Sequence, residues 1–276
     1  MNVKITVIVE NQAEAPFLAE HGLSLLIESE QKNTGTAELL FDTGAGTAFA
    51  NNCKVLGIEQ SRLQHVALSH GHNDHTGGLD YMAKGELYCV DGISKDRYSL
   101  HPGKALRQLT MPESCRKVAG KLQIHRIDNC CNILPGMYLI GPIPRVSGED
   151  TGGPFYLDPE GRTPDFIDDE QALLLSCGIL IQGCSHAGII NTLTHCRKNL
   201  PHIPIHTIVG GLHLLHASRT RLQQTADALK EWQIKKLYLM HCTGENAVEF
   251  LRNALPDCSV ETPHTGSILC FEFPEM

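Results

Sequence analysis

From Ser69 to Gly78 the chain reads Ser-His-Gly-His-Asn-Asp-His-Thr-Gly-Gly, so that positions 70 to 75 hold three imidazoles and one carboxylate. Side chains two apart on a helix diverge by about 200°, so His70 and His72 converge on one ion only from a strand end or an irregular turn. The preceding residues supply the strand. His65-Val66-Ala67-Leu68-Ser69 is an apolar run with a β-branched residue, and Gly71 allows the sharp departure that follows. Thr76-Gly77-Gly78-Leu79 then reads as the start of a helix, with Asp74 and His75 at its N-terminal turn. A histidine pair plus an Asp-His pair is more ligand than one ion needs, and imidazole with carboxylate suits zinc, iron or manganese. The expectation is two divalent transition-metal ions, zinc foremost, held by His70, His72, Asp74 and His75. The competing reading is a polar turn whose histidines are solvated or cap the helix.

The same grammar recurs downstream. Gly183-Cys184-Ser185-His186-Ala187-Gly188 follows the apolar strands Ala172–Ser176 and Gly178–Gln182 and precedes a helix through Leu200, which places His186 on the same kind of strand end as His70. Cys184 is either a ligand or a small buried residue beside the site. Lys236-Leu237-Tyr238-Leu239-Met240-His241-Cys242-Thr243-Gly244 again runs strand, histidine, glycine, helix, and His241 is expected as a further ligand. His213, after Gly210-Gly211, is a candidate for substrate binding or proton transfer, or else a capped surface histidine.

Elsewhere residues 3–10, 23–28 and 37–42 read as strands, as do 86–90, 122–127, 137–140 and 267–273. Asp42 ends the third; it is either an N-cap for a helix beginning near Thr47 or a group behind the metals. Residues 218–232 read as a helix packing Leu222, Ala226 and Leu229. Residues 91–120, with Leu100-His101-Pro102-Gly103 among them, read as a surface excursion or a lid. Two prolines make Gly141-Pro142-Ile143-Pro144-Arg145 a rigid loop, and Arg145 is a candidate clamp for a carboxylate or phosphate. The acidic stretch Asp165 to Gln171 reads as a solvated turn.

The His-x-His-x-Asp-His run at 70–75 resembles the signature of the metallo-β-lactamase superfamily. That resemblance implies an αββα sandwich with mixed sheets and outer helices, a two-metal site at one edge, and a single domain over 1–276 with residues 91–120 as a lid or insertion. It implies ligands at His70, His72, Asp74, His75, His186 and His241, with Cys184 where many relatives bridge the metals with aspartate. It also implies that Asp42, in an Asp-Thr-Gly run, stands close behind the metals. The stretches at 141–145, 168–173, 183–192, 210–214 and 241–244 narrow the likeness to the subgroup that includes the methanogen dihydropterin-methyl-ribofuranosylaminobenzene phosphate synthase.

Two ions about 3.5–4 Å apart would lower the pKa of a bridging water and polarise the bond under attack, so no serine or cysteine nucleophile is needed. The expected function is a metal-dependent hydrolase of a small anionic metabolite, a phosphate or carboxylate ester. Asp74 would orient the hydroxide and His213 would act as acid or substrate contact. A pterin-type synthase displacing pyrophosphate and a catalytically silent metal-binding sensor are the alternatives. A net charge of −8 argues against a nucleic-acid surface, and no apolar run reaches the roughly 20 residues of a membrane span. Eleven cysteines, an odd number in a long chain without Cys-x-x-Cys, fit reduced thiols in a cytoplasm, with Cys53, Cys89 and Cys270 as small core residues.

Overall fold

The structure is a computed structural model that describes residues 1–31, 35–101, 103–149, 151 and 153–273; Pro102, in the stretch read as a lid, lies outside them. The fold is mixed α/β, as expected, and the chain divides into two compact units. The first comprises Met1–Ile127, Pro154–Asp165 and His264–Met276, the second Asp128–Gly153 and Phe166–Pro263.

Among the described residues the first unit is built on a seven-stranded sheet in the order Ile268–Glu272, Asn2–Val9, Ser24–Gln31, Gly35–Phe41, His65–Ala67, Glu86–Cys89 and Gln123–Arg126. The first four strands pair antiparallel and the last four parallel. Asn2–Val9 begins with the alternation that one covered face produces and ends buried on both faces. Leu40, Phe49, Val66, Leu68, Leu79 and Leu87 form the core against the helix Phe49–Leu56, each contributing about 1.5–3 kcal/mol by burial. That helix stops at Gly57, whose left-handed φ of 69° lets its N–H close onto the last turn. Because Phe41 pairs with Ala67 in parallel register, the chain leaves both strands side by side, which sets Asp42 next to Ser69.

The 91–120 segment folds into this unit. Tyr98–Ser99 and Arg107–Gln108 form a three-stranded sheet with Phe155–Tyr156, and the helix Glu113–Ala119 buries Cys115 and Ala119. Thr110 bridges to His72, and the Asn73 N–H donates to the Leu109 carbonyl at 2.8 Å, so the segment is tied to the ligand turn itself.

The second unit carries a seven-stranded sheet ordered Ser259–Glu261, Lys236–Leu239, Thr207–Gly210, Ile179–Gln182, Ala172–Leu175, Met137–Ile140 and Cys130–Leu134. Its first four strands are parallel, and Thr207–Gly210 and Ile179–Gln182 are buried throughout. The helices Ile189–Asn199, Arg219–Glu231 and Glu245–Ala254 follow three of them, so three strand-to-helix turns share one end of the sheet. Ala226 and Leu229 are buried as the helical spacing requires, and Leu222 packs at their edge.

Two expectations are corrected. Asp169 and Glu170 are buried, so the acidic run is not a solvated turn. Cys270 is exposed on an edge strand, whereas Cys53 and Cys89 are core residues. Among the described residues no helix is long and apolar enough to cross a membrane.

Candidate metal centre

In the first unit His70, His72 and His75 are buried and meet directly. The rings of His70 and His75 have centroids 4.2 Å apart, those of His70 and His72 4.6 Å. His70 Nε2 lies 3.0 Å from His72 Nδ1. Two nitrogens on one tetrahedral zinc, with bonds of about 2.0–2.1 Å, would stand roughly 3.3 Å apart, so this pair already has nearly the spacing that an ion would impose. Asp74 Oδ2 is 3.9 Å from His75 Nε2 and 3.2 Å from His21 Nε2. The phenyl ring of Phe155 covers His72 at 5.2 Å between centroids.

Asp42 organises the cluster from behind. Its Oδ1 accepts the Ser69 N–H at 2.7 Å, and its Oδ2 accepts the Ser69 hydroxyl at 2.7 Å and His75 Nδ1 at 2.7 Å. Because the serine hydroxyl donates to Asp42, Ser69 Oγ accepts from His70 Nδ1 at 2.9 Å. Both imidazoles are thereby held with the proton on Nδ1, and their Nε2 lone pairs face the cluster. The N-cap alternative for Asp42 does not apply, since the helix begins at Phe49 with no side-chain cap. The Asp-Thr-Gly loop is stapled to the ligand turn: Thr43 N and Oγ1 both donate to the His75 carbonyl, at 2.8 and 3.0 Å. A Cβ on Gly77 would fall 2.1 Å from the Ala45 carbonyl oxygen, so only glycine permits this approach.

Burial first, then the neighbouring His75 and His72, hold the His70 imidazole well below the usual histidine range. A hydrogen bond to Asp74 raises that of His21. Buried, crowded imidazoles with a carboxylate at their edge fit a divalent ion, and no sequence feature had marked His21 or Ser69 for a role.

In the second unit Cys184, His186, His213, Cys242 and His241 lie on the three turns that leave the parallel strands. The rings of His186 and His213 have centroids 4.4 Å apart. Glu170 holds the His186 turn: its carboxylate accepts the backbone N–H groups of His186 and Ala187 at 2.5 and 2.6 Å, and burial pushes its pKa up to about 7. Glu149 accepts the Ile190 N–H at 3.1 Å at the start of Ile189–Asn199. Asn191 Oδ1 ties Val146 and Ser147 of the proline-braced loop to that helix. Arg145 is exposed, and its guanidinium donates to the Phe166 carbonyl at 2.7 and 3.2 Å and to Thr151. Among the described residues six non-glycine residues have positive φ; Asp42, Ser185, His213 and His241 are four of them. Such backbone strain gathers where a site must hold side chains in fixed directions.

The sequence profile of the metallo-beta-lactamase superfamily matches residues 19–163. The chain is 29% identical to the 7,8-dihydropterin-6-methyl-4-(beta-D-ribofuranosyl)-aminobenzene-5'-phosphate synthase of Methanocaldococcus jannaschii, over 98% of this chain and 97% of that one. It is 31% identical to an uncharacterized protein of the same organism, over 88% of this chain and 92% of the other. A crystal structure of a metal-dependent hydrolase of the beta-lactamase superfamily superposes with a TM-score of 0.84 at 28% identity, covering 99% of this chain and 100% of that one.

Proposed function

Since the chain belongs to the metallo-β-lactamase superfamily, we propose that it is a metal-dependent hydrolase of a small anionic metabolite, a phosphate or carboxylate ester. The observation that carries this reading is the buried imidazole cluster whose Nδ1 protons are fixed by Asp42, directly at His75 and through Ser69 at His70. His70, His72, Asp74 and His75 would hold metal in the first unit, and His186 and His241 in the second. Zinc fits the imidazoles best, with iron or manganese as alternatives. When bound, divalent ions supply Lewis acidity and activate water at neutral pH.

The chain's own groups have separate tasks. Asp42 and Ser69 keep the ligand tautomers. Asp74, held by His21, offers a carboxylate that accepts a proton from the attacking group. Glu170 keeps His186 in place through the backbone, and Phe155 over His72 keeps water from that ring. Arg145 adds positive charge for an anionic substrate.

A second reading is favoured by one specific observation, the likeness to the dihydropterin phosphate synthase over nearly the whole of both chains. In it an organic nucleophile replaces water and pyrophosphate leaves. Zinc-loaded protein offered a panel of phosphate and carboxylate esters, and separately a dihydropterin pyrophosphate with an aminobenzene ribofuranoside phosphate, separates the two. Ester turnover that disappears on chelation and in His72→Ala supports the hydrolase. Pyrophosphate release that requires the second substrate, with no ester turnover, replaces it by the synthase. Arg145→Ala should raise KM without changing metal content. No metal-dependent turnover in either panel would leave a silent metal-binding protein.

A further inference from the structure

We propose that Cys184, His213 and Cys242 of the second unit form a soft metal site, binding one zinc-type ion through two sulfurs and one nitrogen. The inference goes beyond the proposed function, whose ligands are imidazoles and a carboxylate, and it makes His213 a ligand instead of a proton-transfer group.

The three donor atoms lie within 4.8 Å of one another. On a tetrahedral zinc, with bonds of about 2.3 Å to sulfur and 2.0–2.1 Å to nitrogen, donor atoms stand roughly 3.5–3.8 Å apart, so small side-chain rotations close the set. The donors come from three successive strand ends, after Ile179–Gln182, Thr207–Gly210 and Lys236–Leu239, which run parallel and in register. The turns are bound to each other at these residues. The His213 N–H donates to Cys242 Sγ at 3.3 Å, the Cys242 thiol donates to the Cys184 carbonyl at 3.4 Å, and the Leu214 N–H donates to the Cys242 carbonyl at 3.1 Å.

Room for the sulfur is made by a missing side chain. A Cβ on Gly211 would lie 2.5 Å from Cys242 Sγ and 2.6 Å from the Gly183 carbonyl oxygen. His213 holds its place at a φ of 49°, beside Ser185 at 61° and His241 at 54°. Core thiols need none of this: Cys196 is fully buried among apolar side chains of the same unit, on a regular helix. Cys184 and Cys242 are 3% and 7% exposed, and two thiolates balance a divalent charge in a place where a net charge would be costly. Thiolate softness selects zinc over manganese or magnesium.

The test is titration of metal-free, reduced full-length protein with cobalt(II), read by absorption. Sulfur ligation gives an intense thiolate-to-cobalt charge-transfer band that imidazole and carboxylate ligation cannot give. The wild type should develop this band to about one equivalent. Cys184→Ser and Cys242→Ser should each reduce it several-fold, and His213→Ala should weaken the cobalt affinity read from it by about 10-fold or more. His72→Ala should leave it unchanged. Cobalt bound by the wild type without the band overturns the inference and needs no variant to fold. A band unaltered in both serine variants overturns it equally. An absent band with cobalt binding that depends on His72 refutes this site alone, whereas a full band with no His72-dependent metal refutes the imidazole centre alone.

Discussion

Asp42→Asn is the sharpest probe of the imidazole cluster, because it removes a charge and changes almost no volume. The backbone at Asp42 has a φ of 60°, a conformation that asparagine tolerates as readily as aspartate, so the substitution adds no backbone strain. The amide oxygen can keep the bond from Ser69 N–H. The amide NH2 then takes the place of Oδ2, which accepts both the Ser69 hydroxyl and His75 Nδ1 at 2.7 Å. A donor facing Nδ1 is satisfied only if the histidine proton moves to Nε2, the nitrogen that would bind metal. Replacing two hydrogen bonds to a charged group, worth about 1.5–3 kcal/mol each, by neutral ones worth about 0.5–1.5 costs roughly 2–3 kcal/mol. Urea unfolding of the metal-free protein should read that loss. Zinc affinity, measured by competition with a chromophoric chelator, should fall about 10–100-fold, as for other groups that orient a ligand. Ser69→Ala should cost less, because the Asp42–His75 bond survives it. Zinc affinity within two-fold of the wild type in Asp42→Asn would refute the tautomer argument.

Three further outcomes follow from the structure. Glu170→Ala strands two buried N–H donors and should destabilise by about 1–3 kcal/mol for each, with Glu170→Gln intermediate because its amide oxygen still accepts; denaturant midpoints decide this. Glu38 pairs opposite Glu28, and burial, followed by that neighbour, raises its pKa. A raised native pKa means stability that is present at low pH and lost as pH rises above the carboxylate range, so Glu38→Gln should stabilise by about 0.2–1 kcal/mol at pH 7 and by nothing in acid, seen in Tm against pH. Gly77→Ala should destabilise by about 1–3 kcal/mol or more and lower zinc content, whereas Gly120→Ala, whose Cβ meets nothing nearer than 3.6 Å, should do neither; thermal melts and elemental analysis test the pair.

The ligand turn was legible because its chemistry is local. Histidines two apart cannot share an ion from a helix, and the apolar run before His70 and the glycines after His75 define strand and turn within a dozen residues. The superfamily's mixed α/β architecture and the strand ends carrying His186 and His241 were readable for the same reason. Short strands were not: Cys130–Leu134 lacks a covered-face alternation, Ser259–Glu261 alternates over only three residues, and both exist because a neighbour pairs with them. Asp42 was expected behind the metals through the family resemblance, but the partners of the supporting groups escaped because they are remote in sequence. Asp42 meets Ser69 and His75 across 27 and 33 residues, through the register of two parallel strands. Glu170 looked solvated by local charge, yet it is buried on N–H groups 16 and 17 residues later, and Cys242 reaches Cys184 across 58. Residue spacing determines which side chains one turn can present, whereas only strand register and close packing decide which distant carboxylate or thiol stands behind them.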